Sequence, residues 1–159
     1  MTERSLVTVV DDETTVREAI CRLVSSAGLE SGAIVTKPSL VAVVDDELPV
    51  RQAIRRLVSS VGLKSEGFSS AEEFLQRSSD DIPDCLILDV YLPGMSGLEL
   101  QRRLAADHDR TPIVFITAHN DPGSRALALQ AGAIAFLSKP FKEEALFEAI
   151  RSAIEPRKE

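Results

Sequence analysis

Apolar and polar positions alternate along this chain in two distinct periods, and from Leu40 onward the periods take turns. Leu40–Val44 is an apolar run that predicts a strand. After it Val50, Ile54, Leu57, Val58 and Val61 recur at helical spacing, and Gly62 ends that helix. Leu63–Phe68 predicts a short, weak strand. Ser70-Ala71-Glu72-Glu73 has the form of a capping box and opens a helix to about Gln76, which Asp80–Pro83 breaks. Cys85–Val90 is continuously apolar, as expected for a strand buried on both faces. Pro93-Gly94-Met95-Ser96-Gly97 is a turn, and Ser96-Gly97-Leu98-Glu99 caps a helix to about Ala106. Ile113–Thr117 is the next strand, Ala118–Gly123 a polar loop, and a short helix runs to about Ala131 before Gly132. The strand Ala133–Leu137 and a helix from Glu143 to about Ile154 complete the pattern. The order is (βα)5, which predicts an α/β fold with a five-stranded parallel sheet and helices on both faces.

Four of the strand runs end on polar residues of different kinds. Leu40–Val44 runs into Asp45-Asp46, Cys85–Leu88 into Asp89, Ile113–Ile116 into Thr117, and Ala133–Leu137 into Ser138-Lys139. In a parallel sheet these ends converge on one edge. Three carboxylates, a hydroxyl and an ammonium there suit a divalent cation and a phosphoryl group. Taken singly, each has a plainer reading. Asp45-Asp46 could be an exposed loop pair or helix-start charge, and a Lys before a Pro is usually a solvated loop residue. Their joint occurrence with Asp89 and Thr117 favours the site.

The segment before Leu40 adds a repeat. Ser5–Ser31 matches Ser39–Ser65 at a fixed offset of 34, differing only at Thr8/Ala42, Thr14/Leu48, Thr15/Pro49, Glu18/Gln52, Cys21/Arg55, Ala27/Val61 and Glu30/Lys64. A solenoid needs about three such units, and only two occur. The reading is therefore an extra N-terminal βα unit, residues 1–38 with the linker Gly32–Ser39, ahead of a full domain at 39–159. The first copy offers Asp11, Asp12 and Glu13 but no Asp, Thr or Lys partners of its own. It could dock on the domain edge, compete with the second copy for one slot in the sheet, or pair with another molecule. Val61 carries two carbons more than Ala27, which favours the second copy by roughly 1.5 kcal/mol at about 0.8 kcal/mol per buried CH₂. Pro49 near a helix start favours it too. Extruding the second copy as a loop costs only about 0.6 kcal/mol per doubling of loop length, so exclusion is not absolute. The second copy is expected in the core.

Composition and charge narrow the function. At 159 residues, 44% hydrophobic and 27% charged, the chain can fill one ordinary core and stay in solution. A formal net charge of -7 without a basic run argues against direct nucleic-acid binding. No apolar span reaches about 18 residues, and the N-terminus has no signal-peptide h-region, so no membrane segment is expected. Cys21 and Cys85 lie in apolar-periodic segments without metal-ligand spacing, as buried thiols in a reducing cytoplasm would.

With Val-Val-Asp-Asp-Glu at 43–47, Leu-Ile-Leu-Asp-Val-Tyr-Leu-Pro-Gly-Met-Ser-Gly-Leu-Glu-Leu at 86–100, Ile-Thr-Ala at 116–118 and Ala-Gly-Ala-Ile-Ala-Phe-Leu-Ser-Lys-Pro-Phe at 131–141, residues from about Ser39 to Ile154 resemble a response-regulator receiver domain of bacterial two-component systems. The likeness is strongest to receivers of transcription-factor type. It implies a doubly wound, flavodoxin-like sheet in order 2-1-3-4-5 and phosphorylation on aspartate by a sensor histidine kinase or phosphotransfer protein. It also implies that Asp89 is the phosphoacceptor. Mg²⁺ (or Mn²⁺) would be held by Asp46, Asp89 and the backbone carbonyl of Tyr91, with Asp45 acting through water. Lys139 and Thr117 would bind the phosphoryl oxygens, and Lys139-Pro140 would be a cis bond. Thr117 and Phe136 would form a switch pair, although Phe136 also reads as plain core. Tyr91 and His119 would tune the lifetime of the phosphate, although His119 also reads as a solvated loop residue.

Further partners would be a second copy of the chain, through the last two helices and last strand or by strand exchange of the duplicate. Two other readings stand beside this one. One is a protein-interaction module on the same fold that is not phosphorylated. The other is a magnesium-dependent phosphohydrolase with an aspartyl nucleophile, which would carry Asp-x-Asp after its first strand. Asp45-Asp46-Glu47 and Asp89-Val90-Tyr91 lack that pattern.

Overall fold

The computed structural model describes residues 39–77, 82–119 and 121–155. Residues 1–38, with Cys21 and the first copy of the repeat, lie outside the described residues, so the expected extra N-terminal unit is not among them. The elements are β1 (Leu40–Val44), α1 (Leu48–Ser60), β2 (Lys64–Phe68), α2 (Ala71–Gln76), β3 (Cys85–Asp89), α3 (Gly97–Ala106), β4 (Ile113–Thr117), α4 (Pro122–Gln130), β5 (Ala135–Ser138) and α5 (Glu143–Ile154). The strands form one parallel sheet in the order β2-β1-β3-β4-β5, as expected.

The alternation of side chains along each strand divides the core into two layers. Val41, Val43, Ile87 and Ile116 face α1 and α5 with Ile54, Val58, Phe147 and Ile150. Ala42, Val44, Leu88 and Phe115 face the other side with Phe74, Leu100, Leu104 and Ala128. Strands β1, β3 and β4 are buried along their whole length, which explains their unbroken apolar sequences. The second copy of the repeat supplies β1, whose two edges are taken by β2 and β3.

Several boundaries differ from the sequence expectation, for one shared reason. Ala133 was expected in the last strand, yet its N–H donates to the Ala128 carbonyl at 3.0 Å, so it closes the end of α4. Gly132, at φ +102°, makes that reversal. Leu63 is likewise outside β2, because its N–H donates to the Val58 carbonyl at 3.3 Å after Gly62 at φ +88°. At Ser96 the capping box is complete: the hydroxyl accepts from the Glu99 N–H and the Glu99 carboxylate accepts from the Ser96 N–H. At Ser70 only half of it forms. The Ser70 hydroxyl accepts from the Glu73 N–H, but the Glu73 carboxylate reaches one residue further back, to the N–H and hydroxyl of Ser69.

Candidate functional site

The sheet order reverses between β1 and β3, so their C-terminal ends open a crevice between the loops that leave in opposite directions. Asp45 and Asp46 follow β1 into that crevice, and Asp89 ends β3. Ligand atoms of all three lie within 4.8 Å of one another. Thr117 ends β4, and Lys139 follows β5. The structure therefore brings the predicted constellation together from four strands.

Asp45 is wholly enclosed. One of its carboxylate oxygens accepts from the Glu47 N–H at 2.8 Å and the other from the Lys139 ammonium at 2.8 Å. Asp89 is also buried but keeps 7% of its side chain accessible. Its two oxygens accept from the Tyr91 N–H at 3.0 Å and from Lys139 at 3.1 Å. Burial raises the pKa of Asp89 above the usual carboxylate value; the bonds from Lys139 and Tyr91 counter this, and the charge of Asp45 adds to it. Burial alone would lower the pKa of Lys139. Its hydrogen bonds and attraction to Asp45 and Asp89 outweigh that and raise it. One ammonium thus spans two buried carboxylates, while Asp46 is exposed beside them.

The Lys139-Pro140 bond is cis, as the resemblance implied, and the Lys139 N–H donates to the Thr117 carbonyl at 2.7 Å. Gly97 is required at the start of α3 because a Cβ there would collide with the Asp89 backbone carbonyl. The helix thereby begins directly against the strand that carries Asp89.

The other side of the crevice is looser. The Thr117 hydroxyl donates to the His119 carbonyl and accepts from the His119 N–H, both at 3.0 Å, so it is turned into its own loop. Tyr91, 44% exposed, packs edge-on against the exposed His119 ring with centroids 5.4 Å apart. Its hydroxyl donates to Asp121 at 3.5 Å. Phe136 is buried 6.1 Å from the Phe115 ring.

Four contacts were not foreseen from sequence. Glu47 lies 3.5 Å from the Lys139 ammonium, and the Arg51 guanidinium donates to the Asp45 carbonyl at 2.7 Å. The Arg125 guanidinium lies 5.8 Å from the Phe136 ring centroid and donates to the Phe136 carbonyl at 3.4 Å. Asp121 caps α4 through the Gly123 N–H and the Ser124 hydroxyl, which with Tyr91 hold its carboxyl below the ordinary value. Asp121-Pro122 carries a helix-start signal in sequence, an N-cap acid followed by a first-turn proline, that could have located it.

The carboxylate group is an all-oxygen donor set, which fits a hard divalent cation such as Mg²⁺. A family model described as the response regulator receiver domain matches residues 41–151. This chain belongs to the response-regulator receiver domain family.

Among curated relatives, the receiver is 46% identical over 152 residues to the response regulator protein TmoT of Ectopseudomonas mendocina, covering 96% of this chain and 54% of TmoT. It is 44% identical over 152 residues to nodulation protein W of Bradyrhizobium diazoefficiens, covering 96% of this chain and 52% of that protein. The chain thus spans about half the length of these relatives. Among solved structures, the response regulator StyR superposes with a TM-score of 0.68 at 47% identity, covering 74% of this chain and 60% of StyR. A response regulator receiver protein from Burkholderia phymatum gives a TM-score of 0.65 at 44% identity, covering 73% of this chain and 94% of that one.

Proposed function

We propose that this receiver is a phosphorylation-controlled signalling switch that accepts a phosphoryl group on Asp89 and passes its state to a partner or output domain. The observation that carries this reading is the position of Asp89, buried at a strand end, bonded to Lys139 and yet retaining an accessible edge. Asp45 is sealed, and exposed Asp46 has no comparable enclosure, so Asp89 is the carboxylate best placed to meet a donor at a controlled site.

A carboxylate oxygen of Asp89 attacks the phosphorus of a phosphohistidine on the donor protein. The O–P bond forms, the P–N bond breaks, and the electron pair leaves with the imidazole. Two anions repel in this encounter, so positive charge must lie beside them. Lys139 supplies one such charge, kept in place by Asp45. Magnesium, held by Asp46, Asp89 and the Tyr91 carbonyl with Asp45 acting through water, would neutralise further phosphoryl charge. Thr117 leaves the His119 loop to donate its hydroxyl to a phosphoryl oxygen, and Phe136 responds to the space so vacated. Tyr91 and His119 cover the approach of water.

The chain acts as a phosphoacceptor rather than as a turnover enzyme. Its donor is a histidine kinase or phosphotransfer protein in the cytoplasm. Among the described residues no helix is long and apolar enough to cross a membrane. A homodimer through α4, β5 and α5 belongs to the same proposal, as does the absence of direct nucleic-acid contact. Incubation with Mg²⁺ and acetyl phosphate, followed by intact mass measurement, tests the reading. A hydroxylamine-labile phosphate adduct on the unmodified protein, absent in Asp89→Asn, is expected. A folded protein that takes up no phosphate would favour the interaction-module reading instead.

A further inference from the structure

The end of β4 opposite Thr117 borders a cavity that the carboxylate crevice does not use. It has a volume of about 430 Å³ and lies between the end of α3, the loop 107–112 and the end of α4. Ile113, the first residue of β4, is in its wall. That size suits a small organic molecule.

The wall holds a polar group that the fold leaves half satisfied. Gln101 is only 4% exposed, and its Nε2 donates to the Ala128 carbonyl at 3.1 Å, tying α3 to α4. A carbonyl can only accept, so this bond fixes which end of the amide is which. The other end, Oε1, has no donor among the described residues. A buried acceptor without a donor is costly, which favours a ligand N–H or O–H that reaches it.

A free cation lines the same cavity. The exposed Arg110 guanidinium makes no hydrogen bond or ion pair among the described residues. Neighbouring Asp109 is engaged in the loop, where its Oδ1 accepts from the Thr111 N–H at 2.9 Å and the Thr111 hydroxyl at 2.6 Å. The loop is also held at its start. His108 sits at φ +61°, and the Asp109 N–H donates to the Leu104 carbonyl at 2.8 Å, a helix-ending turn that glycine usually makes. A histidine there accepts backbone strain and brings a ring to the cavity wall. Buried Leu104 and Ile113 supply apolar surface.

We propose that this cavity is a binding site for a small N-acylated amino acid, or a molecule of that chemistry. Its carboxylate pairs with Arg110, its amide N–H donates to Gln101 Oε1, and its apolar side chain packs on Leu104 and Ile113. The site lies at the start of β4, away from Asp89, and does not draw on phosphoryl transfer.

The test titrates N-acetyl-L-leucine into the full, isotopically labelled chain and follows amide NMR shifts. Ile113, Gly132 and the Gln101 side chain should move and saturate with a Kd around 1 mM. The methyl ester of the probe, which lacks the charge, should bind roughly tenfold more weakly. Arg110→Ala should keep the thermal midpoint, since the guanidinium holds nothing else, and should bind acid and ester alike at the ester's affinity. Gln101→Met should weaken acid and ester by the same factor, roughly fivefold. Gln101 also joins two helices, so Arg110→Ala decides the matter if Gln101→Met does not fold. No shift at these positions up to about 10 mM probe overturns the proposal. Equal binding of acid and ester by the unmodified chain, or shifts confined to the carboxylate crevice, overturns it as well.

Discussion

On one side of the strand-end crevice, Asp45, Asp89 and Lys139 are enclosed and bonded to one another. On the other, Thr117 is bonded to its own loop, and Tyr91 and His119 stand in solvent against each other. Both sides are made of strand ends and the loops that follow them. They differ in what holds them. The charged side is joined across the sheet, from β1 through Lys139 to β3, so no member can move without stranding a buried charge. The hydroxyl side is held by contacts that a single side-chain rotation can exchange. Charge placement is thus fixed in advance, whereas the Thr117 hydroxyl rests on bonds to its own loop.

The largest break in that contrast is Lys139→Met. It leaves Asp45 and Asp89 buried together without their cation, and unfolding by urea without divalent metal should show a loss of about 3–5 kcal/mol. The rate of adduct formation with acetyl phosphate should also fall roughly 100-fold or more. Gly97→Ala strikes the same side through its backbone, because the new methyl meets the Asp89 carbonyl. A loss of about 1–3 kcal/mol is expected in the same assay.

Asp89→Asn sharpens the comparison through pH. The folded pKa of Asp89 is raised, first by burial. Its stability contribution is therefore fully present below the unfolded value of about 3.9 and is lost as pH rises through the folded one. The ionised carboxylate burdens the fold at neutral pH. Asp89→Asn should raise the thermal midpoint at pH 7 by a few degrees, on the order of 1 kcal/mol, and the gain should vanish as pH falls through the carboxylate range. Lys139 behaves oppositely in range: its pKa is also raised, so its contribution survives neutral pH and is lost only as pH rises through its raised value in the alkaline range.

Changes on the hydroxyl side should be milder. Thr117→Ala should form the adduct at a rate within about tenfold of the unmodified chain, measured by intact mass over time. Tyr91→Ala should have the smallest effect, speeding spontaneous loss of phosphate by roughly two- to fivefold, about 0.4–1 kcal/mol in barrier. An unchanged rate would remove the shielding role.

Much of this was legible in the sequence because the strands advertise both their burial and their endings. An unbroken apolar run such as Cys85–Leu88 states that both faces are covered, and the residue after it states what reaches the crevice. The sheet order came from the family likeness, since periodicity alone does not order parallel strands. Less legible were contacts made by long side chains across elements. Nothing in the spacing of Arg125 and Phe136 shows that the guanidinium lies at the ring, because that depends on how α4 packs on β5. Likewise the enclosure of Asp45 and its bond to Lys139 depend on the sheet bringing residues 94 apart in sequence together. The start of β5 was misplaced because Gly132 turns Ala133 back to close a helix, a backbone effect that apolar patterning does not register.

The most direct test locates the phosphate. Borohydride reduction of the freshly phosphorylated protein converts an acyl phosphate to homoserine at the modified aspartate, and peptide sequencing by mass spectrometry reads the position. The account predicts homoserine at residue 89, where a carboxylate is bonded to Lys139 and still accessible. Homoserine at residue 45 or 46 instead would contradict it, because the enclosed and the exposed acid would then be the reactive ones.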